Sequence, residues 1–309
     1  MSKLRTAVCI TGRLDLLEIT ANNLKRNVLN QLDNPDIFIY YSEMGERKIF
    51  YRGIYNTSVD IFKKLISFFY FNKKKSAKKN LDIKKIYEYL PYKEIIVTND
   101  KYLSDISDIN VRNFGKGKES YLQMIYALFQ CNKMIKKYEQ KNNIKYDFKL
   151  RLRADVLFIK PIPNIYSLPS NKITIPLFHN ERDGCGEFGK FADKKCIHDR
   201  FAVGPSSKMD ILLNQYINIK GIKNCKYFTH AEHLLYHYLD WNNLSFKKNI
   251  IEKNNDILFL RIRRNEYNNF EIFPSDCGDS KRRPNDKKNC INCDKFLKDW
   301  KKTGISQLI

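Results

Sequence analysis

Residues 146–163 read YDFKLRLRADVLFIKPIP, and the class of the whole chain turns on how this stretch is taken. Along a strand, side chains alternate between faces, so Arg151, Arg153 and Asp155 share one face while Leu152, Ala154 and Val156 share the other. A long amphipathic segment precedes it: Leu122, Ile125, Leu128, Met134, Ile135 and Tyr138 recur at helical spacing between Ser120 and Gln140. Helix followed by buried strand is the repeating unit of an α/β protein. In an open parallel sheet the carboxyl ends of the strands border the ligand crevice, so a carboxylate beside two guanidiniums at the end of a central strand lies over a site. Asp155 is therefore the expected centre of the chemistry. Arg and Asp on one strand face also form ordinary solvated ion pairs, and these residues alone do not decide between the two.

Working outward, the same alternation appears upstream. Residues 5–11, RTAVCIT, form an apolar run closed by Gly12 and Arg13; residues 14–32 carry apolar residues at helical spacing; Pro35 stops that helix, and residues 36–41, DIFIYY, form a second strand. A strand, a crossover helix and a strand of this length pair in parallel. Arg13, in the loop after the first strand, is suited either to a phosphate or to solvent. Residues 93–98, KEIIVT, read as a third strand. Downstream, ITIPL begins at Ile173, DRFAVG at Asp199, a helix follows Pro205-Ser206-Ser207, another helix covers Ala231 to Leu239, and FLRIRR from Phe259 to Arg264 is a basic strand. The expected class is α/β, with a mostly parallel central sheet flanked by helices in a single Rossmann-like domain over 1–265. Residues 1–160 form its first half and 161–265 a mixed second half, with 266–309 a basic, cysteine-containing tail packed on it.

Composition bounds the function. The chain has 309 residues, 43% of them hydrophobic, enough for a large core. Fifty-six Lys and Arg against 34 Asp and Glu give a net charge of +22, a field that attracts polyanions. Most of the excess is lysine in Lys/Asn/Ile-rich sequence, which base composition alone produces, and no nucleic-acid recognition motif accompanies it. No nucleic-acid partner is expected, although a basic nucleic-acid-binding protein stays an alternative. Residues 59–71 are amphipathic and aromatic and precede a lysine run at 73–85, so peripheral membrane contact is the competing use of that segment; packing on its own domain is the plainer one. No apolar run reaches membrane-spanning length, and the eight scattered cysteines read as reduced thiols of a cytoplasmic protein. His233 and His237 are spaced for a metal on one helix face, yet no HExxH order is present. Cys290 and Cys293 form a CxxC that lacks a second pair. P-loop, GxSxG and full dinucleotide fingerprints are missing.

The ordered blocks AVCITGR, DIFIYYS, YDFKLRLRADVLF after a helix ending KKYEQ, DRFAVGPSSKMDIL and AEHLLYHYL resemble the glycosyltransferase-like proteins of polysaccharide-synthesis clusters and large DNA viruses, which have the nucleotide-diphospho-sugar transferase A-type fold. The resemblance covers roughly residues 5–265. It implies a nucleotide-sugar donor taken by the half at 1–160, a glycan or protein-linked acceptor taken by the half at 161–265, and a host-cytoplasmic location if the source is viral. Thr11, Gly12 and Arg13 match the first loop that meets the donor, and Asp155 matches the last acid of the metal-binding DxD signature, which implies Mn2+ or Mg2+. Arg153 stands where that signature has its other acid, so that Arg153, with Arg151, falls on the donor diphosphate. Asp199 and Glu232 match acids from which the acceptor's base is drawn, and Arg261, Arg263 and Arg264 match a basic strand near the leaving group. The departure at Arg153 keeps a second alternative open, a catalytically silent member of the fold with a structural or interaction role.

Overall fold

The computed structural model describes residues 4–12, 16–42, 83–98, 118–169, 171–176, 199–219, 234–235, 238–239, 241–244, 246–249, 257, 259–264 and 270–273, the segments at 246–249, 259–264 and 270–273 by their backbone alone. Strands β1 (Thr6–Thr11), β2 (Asp36–Ser42), β3 (Glu94–Thr98), β4 (Phe148–Arg153), β6 (Ile173–Pro176), β7 (Phe201–Pro205) and β8 (Phe246–Asn249) form one seven-stranded sheet in the order β3-β2-β1-β4-β7-β6-β8. Strands β5 (Val156–Phe158), β9 (Phe259–Arg264) and β10 (Phe270–Phe273) form a separate antiparallel three-stranded sheet. The large sheet is mixed and mostly parallel: β1, β2, β3 and β4 run together, β7 runs against β4, and β6 and β8 run together against β7.

All of β1 is buried, as a strand must be when parallel pairing on both edges brings helices over both faces. Helix α1 (Leu17–Asn27) and helix α2 (Ile83–Tyr89) cover one face. Leu17, Ala21, Leu24 and Val28 of that first helical segment recur at helical spacing and pack with Val8, Ile10, Leu150 and Leu152. The helix expected over 14–32 is shorter, because Val28 leaves helical geometry; a 3-10 turn at Leu29–Gln31 and a left-handed Asn34 at φ 49° carry the chain to Pro35. Helix α3 (Lys118–Asn142) covers the other face, with α4 (Ser206–Leu213) and α5 (Gln215–Asn218) beside it. There Leu122, Ile125, Leu128 and Ile135 pack on Ala7, Cys9 and Phe38.

The 146–163 stretch is two strands. β4 ends at Arg153, Ala154 and Asp155 make a turn, and Val156 starts β5 in the second sheet, so Asp155 occupies the junction of the two sheets and not the last position of a strand. Residues 246–249 and 270–273 add two short strands that the sequence reading did not anticipate, and the second of them lies in the basic tail. Among the described residues, no helix is long and apolar enough to cross a membrane. The amphipathic segment 59–71, the lysine run 73–85, the three histidines 230, 233 and 237 and the cysteines 277, 290 and 293 lie outside the described residues.

Candidate functional site

β4 alternates FKLRLR, and each set of side chains has its own destination. Phe148, Leu150 and Leu152 enter the core under α1, while Lys149, Arg151 and Arg153 point to the face covered by α3. Long cations fit there because their register neighbours are small: Ala7 and Gly204 flank Lys149, and Cys9 and Ala202 flank Arg151. Gly204 is required for a second reason. A Cβ at that position would come within 3.0 Å of the Ile173 Cα and the Lys172 carbonyl oxygen, so glycine is what lets β6 close on β7.

The three cations are bonded differently. Lys149 is fully buried and donates to the Asn132 side-chain oxygen at 3.0 Å and to Asp210, whose other oxygen takes Lys136 at 2.6 Å. Burial pulls the Lys149 amine below its ordinary pKa, and the Asp210 carboxylate works against that shift. Arg151, 1% exposed, donates from Nη2 to the Met124 sulfur at 3.4 Å, and its Nε has no hydrogen-bond partner among the described residues. Desolvation lowers its pKa, the nearby Asp199 charge opposes this, and Arg153 adds to the lowering. Arg153 grips Asp155 with a two-pronged contact, Nε to Oδ1 at 2.8 Å and Nη2 to Oδ2 at 2.7 Å, and its Nη1 reaches Asp199 Oδ2 at 3.4 Å. This is the fork geometry in which guanidinium and carboxylate bind most strongly.

Topology explains why these groups meet. The chain builds β1, β2 and β3 outward in one direction, then crosses back to set β4 on the other side of β1, so the strand order reverses between β1 and β4. The carboxyl ends of those two strands hold Thr11 and Gly12 beside Arg153, Ala154 and Asp155. Thr11 is the register partner of Arg153, and its carbonyl accepts from the Ala154 amide at 2.9 Å. Because β7 is antiparallel to β4, its beginning comes to the same edge, which brings Asp199 and Arg200 next to Arg153. Asp199 is 4% exposed and lies 3.9 Å from Arg200 Nε. Gly12 is exposed, with φ 110°, a conformation that side-chain-bearing residues rarely adopt. Among the described residues a Cβ there would meet only the Ala154 amide nitrogen, at 3.7 Å, so it is the backbone geometry that calls for glycine.

The turn that carries Asp155 is fixed from α1, by residues that the sequence reading passed over. Thr20 Oγ1 donates to the Ala154 carbonyl at 2.7 Å; the Asn23 side chain both donates to the Phe158 carbonyl at 3.0 Å and accepts from its amide at 2.7 Å; Asn27 donates to the same carbonyl at 2.9 Å. All three are buried. Their signal was visible as a polar stripe, Thr20, Asn23 and Asn27, beside the apolar stripe of an amphipathic helix.

Of the residues singled out from the sequence, Thr11, Gly12, Arg151, Arg153, Asp155 and Asp199 converge on this edge. Arg261 follows in the second sheet as the register partner of Val156, and Arg263 pairs with Glu271, both described by backbone only. Arg13 and Glu232 lie outside the described residues. A divalent cation needs free carboxylate oxygens, and both oxygens of Asp155 receive N–H groups from Arg153, whose own charge repels a dication. No group of His, Cys, Asp or Glu among the described residues has the arrangement of a metal site. The donor set at Asp155 therefore does not fit Mn2+ or Mg2+. No model of a known protein family matches the chain, and no curated protein matches it.

Proposed function

We propose that the chain is a glycosyltransferase of the nucleotide-diphospho-sugar transferase A-type fold, binding the donor's diphosphate outside the carboxyl ends of β1 and β4. The observation that carries this reading is the reversal of strand order between β1 and β4, the position at which open α/β sheets take their ligands, with Gly12 at φ 110° on one side and Arg153 on the other. A glycine with that backbone allows close approach of a ligand to the loop, and the Arg153 guanidinium has the fork that matches phosphate oxygens.

The chemistry follows from charge. Cleaving the bond between sugar and phosphate develops negative charge on the departing nucleoside diphosphate, and a guanidinium held next to it stabilises the transition state more than the ground state. Arg153 supplies that charge where a metal ion would otherwise do so. Asp155 orients it, in a two-pronged contact that fixes the plane of the guanidinium. The acceptor hydroxyl gives its proton to a carboxylate, for which Asp199 and Glu232 are the candidates; Asp199 stands within reach of the crevice, in contact with Arg153 and Arg200.

The test is calorimetry with UDP, GDP and CDP sugars, with and without Mn2+, followed by measurement of nucleoside diphosphate release. Binding is expected for one nucleotide class, and Arg153→Gln should weaken it by about 100-fold, the loss of a charge-assisted fork contact worth about 3 kcal/mol. Release should survive exhaustive chelation. No heat with any of these donors sinks the proposal. A second reading is favoured by a specific observation: the two carboxylates described at this edge, Asp155 and Asp199, are held in ion pairs. Binding without release would assign the chain to a catalytically silent member of the fold.

A further inference from the structure

We infer that the buried charge of Arg151 acts on the anion-binding crevice from beneath, as a positioning residue that never touches the ligand, and is not needed for the fold. The inference rests on the reading of that crevice as a diphosphate site. Three cations follow one another on the same face of β4, and among the described residues only the middle one lacks an anionic hydrogen-bond partner. Lys149 has Asp210, Arg153 has Asp155 and Asp199, and Arg151 has a thioether, a weak acceptor, with Nε unpartnered. Its side chain is among the largest in the molecule to be fully buried.

A guanidinium buried without a carboxylate is costly, and apolar replacement of such groups is often neutral or stabilising. A residue of this kind adds nothing to stability that a methionine would not. Its position suggests what it does add. Arg151 lies one pleat repeat below Arg153, about 7 Å along the strand, directly under the edge where β1 and β4 end. Asp199, the carboxylate whose charge acts on it, is also in contact with Arg153 and Arg200. A fixed unit charge about 12 Å from a phosphate, at an effective dielectric of about 20, changes affinity by roughly tenfold. Solvent ions screen such a buried charge far less than they screen surface lysines.

The experiment compares the unaltered chain with Arg151→Met and Arg151→Lys, titrating inorganic pyrophosphate and UDP at low and high salt and recording Tm for each. Arg151→Met is expected to bind about tenfold more weakly at both salt concentrations, with a Tm no lower than that of the unaltered chain. Arg151→Lys, which keeps the charge, should bind within about threefold of it. Equal binding by Arg151→Met overturns the inference, as does a loss that disappears at high salt or a lysine variant as weak as the methionine one. A methionine variant that fails to fold or melts earlier also overturns it, by showing a structural cation. If the unaltered chain binds neither probe, the diphosphate site itself is wrong and this inference falls with it.

Discussion

The buried polar residues of α1 and those of β4 face opposite sides of the same sheet, and they are satisfied in different ways. Thr20, Asn23 and Asn27 all end on backbone atoms of one short segment, Ala154 to Phe158. Lys149, Arg151 and Arg153 end on side chains, carboxylates for the outer two and a thioether for the middle one. Backbone partners fix where a turn is; side-chain partners fix where charge is. The first set builds the position of Asp155, and the second sets the potential around it.

The comparison breaks most directly at Asn23. Asn23→Ala removes both the donor and the acceptor that hold Phe158, leaving a buried amide without its side-chain partner, and should cost about 3 kcal/mol in urea unfolding. Asn27→Ala should cost about 1 kcal/mol, because the carbonyl it serves keeps Asn23. Equal losses would mean that the stripe does not act on the turn in the way described. The next effect belongs to β4. Lys149→Met leaves Asp210 with Lys136 as its described cation, so the loss should be about 2 kcal/mol, less than for an acid left wholly unpaired. Set beside Arg151→Met, this variant sharpens the contrast: Lys149→Met should lose stability and Arg151→Met should lose none, and equal losses would erase the distinction between them.

A smaller effect is expected at the crevice. Gly12→Ala places a side chain at φ 110°, with room for the Cβ but not for the conformation, and should lower stability by about 1.5 kcal/mol. Urea unfolding of this variant against the unaltered chain checks it. No change would show that the loop relaxes, and with it the fixed backbone on the β1 side of the site.

The strands and the long helix were legible because their apolar periods are strong. Residues 6–11, 36–42, 118–142 and 201–205 follow their sequence patterns closely. The break after Arg153 was not legible, since Leu152, Ala154 and Val156 continue a period-two pattern across it and α1 supplies the polar partners that the turn needs. The burial of Arg151 was equally hidden. Alternating arginines on a strand read as a surface cluster, and only the small residues Cys9 and Ala202, brought alongside by pairing, make room for a buried one. Those neighbours are distant in sequence. The convergence of Gly12 and Asp155 could be anticipated from strand ends alone; that of Asp199 could not, because it depends on the antiparallel course of β7.

The smallest expected effect lies on the α3 side of the sheet and depends on pH. Tyr238 donates its hydroxyl to the Ile211 carbonyl at 2.7 Å and accepts from the Asn218 amide nitrogen at 3.0 Å. Burial raises its pKa to about 12, with the hydrogen bond from Asn218 acting the other way. In the unfolded chain the phenol ionises near its ordinary value of about 10. The folded state therefore holds the proton over a window in which the unfolded state has lost it, and stability falls as pH rises through that window. The contribution is fully present below pH 10 and is gone above about pH 12. Tyr238→Phe should cost about 1 kcal/mol at neutral pH, the net worth of the lost hydrogen bonds. Above pH 10 the two proteins should converge, because the unaltered chain loses what the variant never had. Lys149 titrates in the opposite sense: its lowered folded pKa makes the folded state lose its proton first, so its contribution rises with pH in the alkaline range. Unfolding both proteins in urea between pH 7 and pH 11 separates the two, since the lysine acts equally in each and cancels in their difference. A difference that stays constant across that range would show that Tyr238 does not keep its proton through burial.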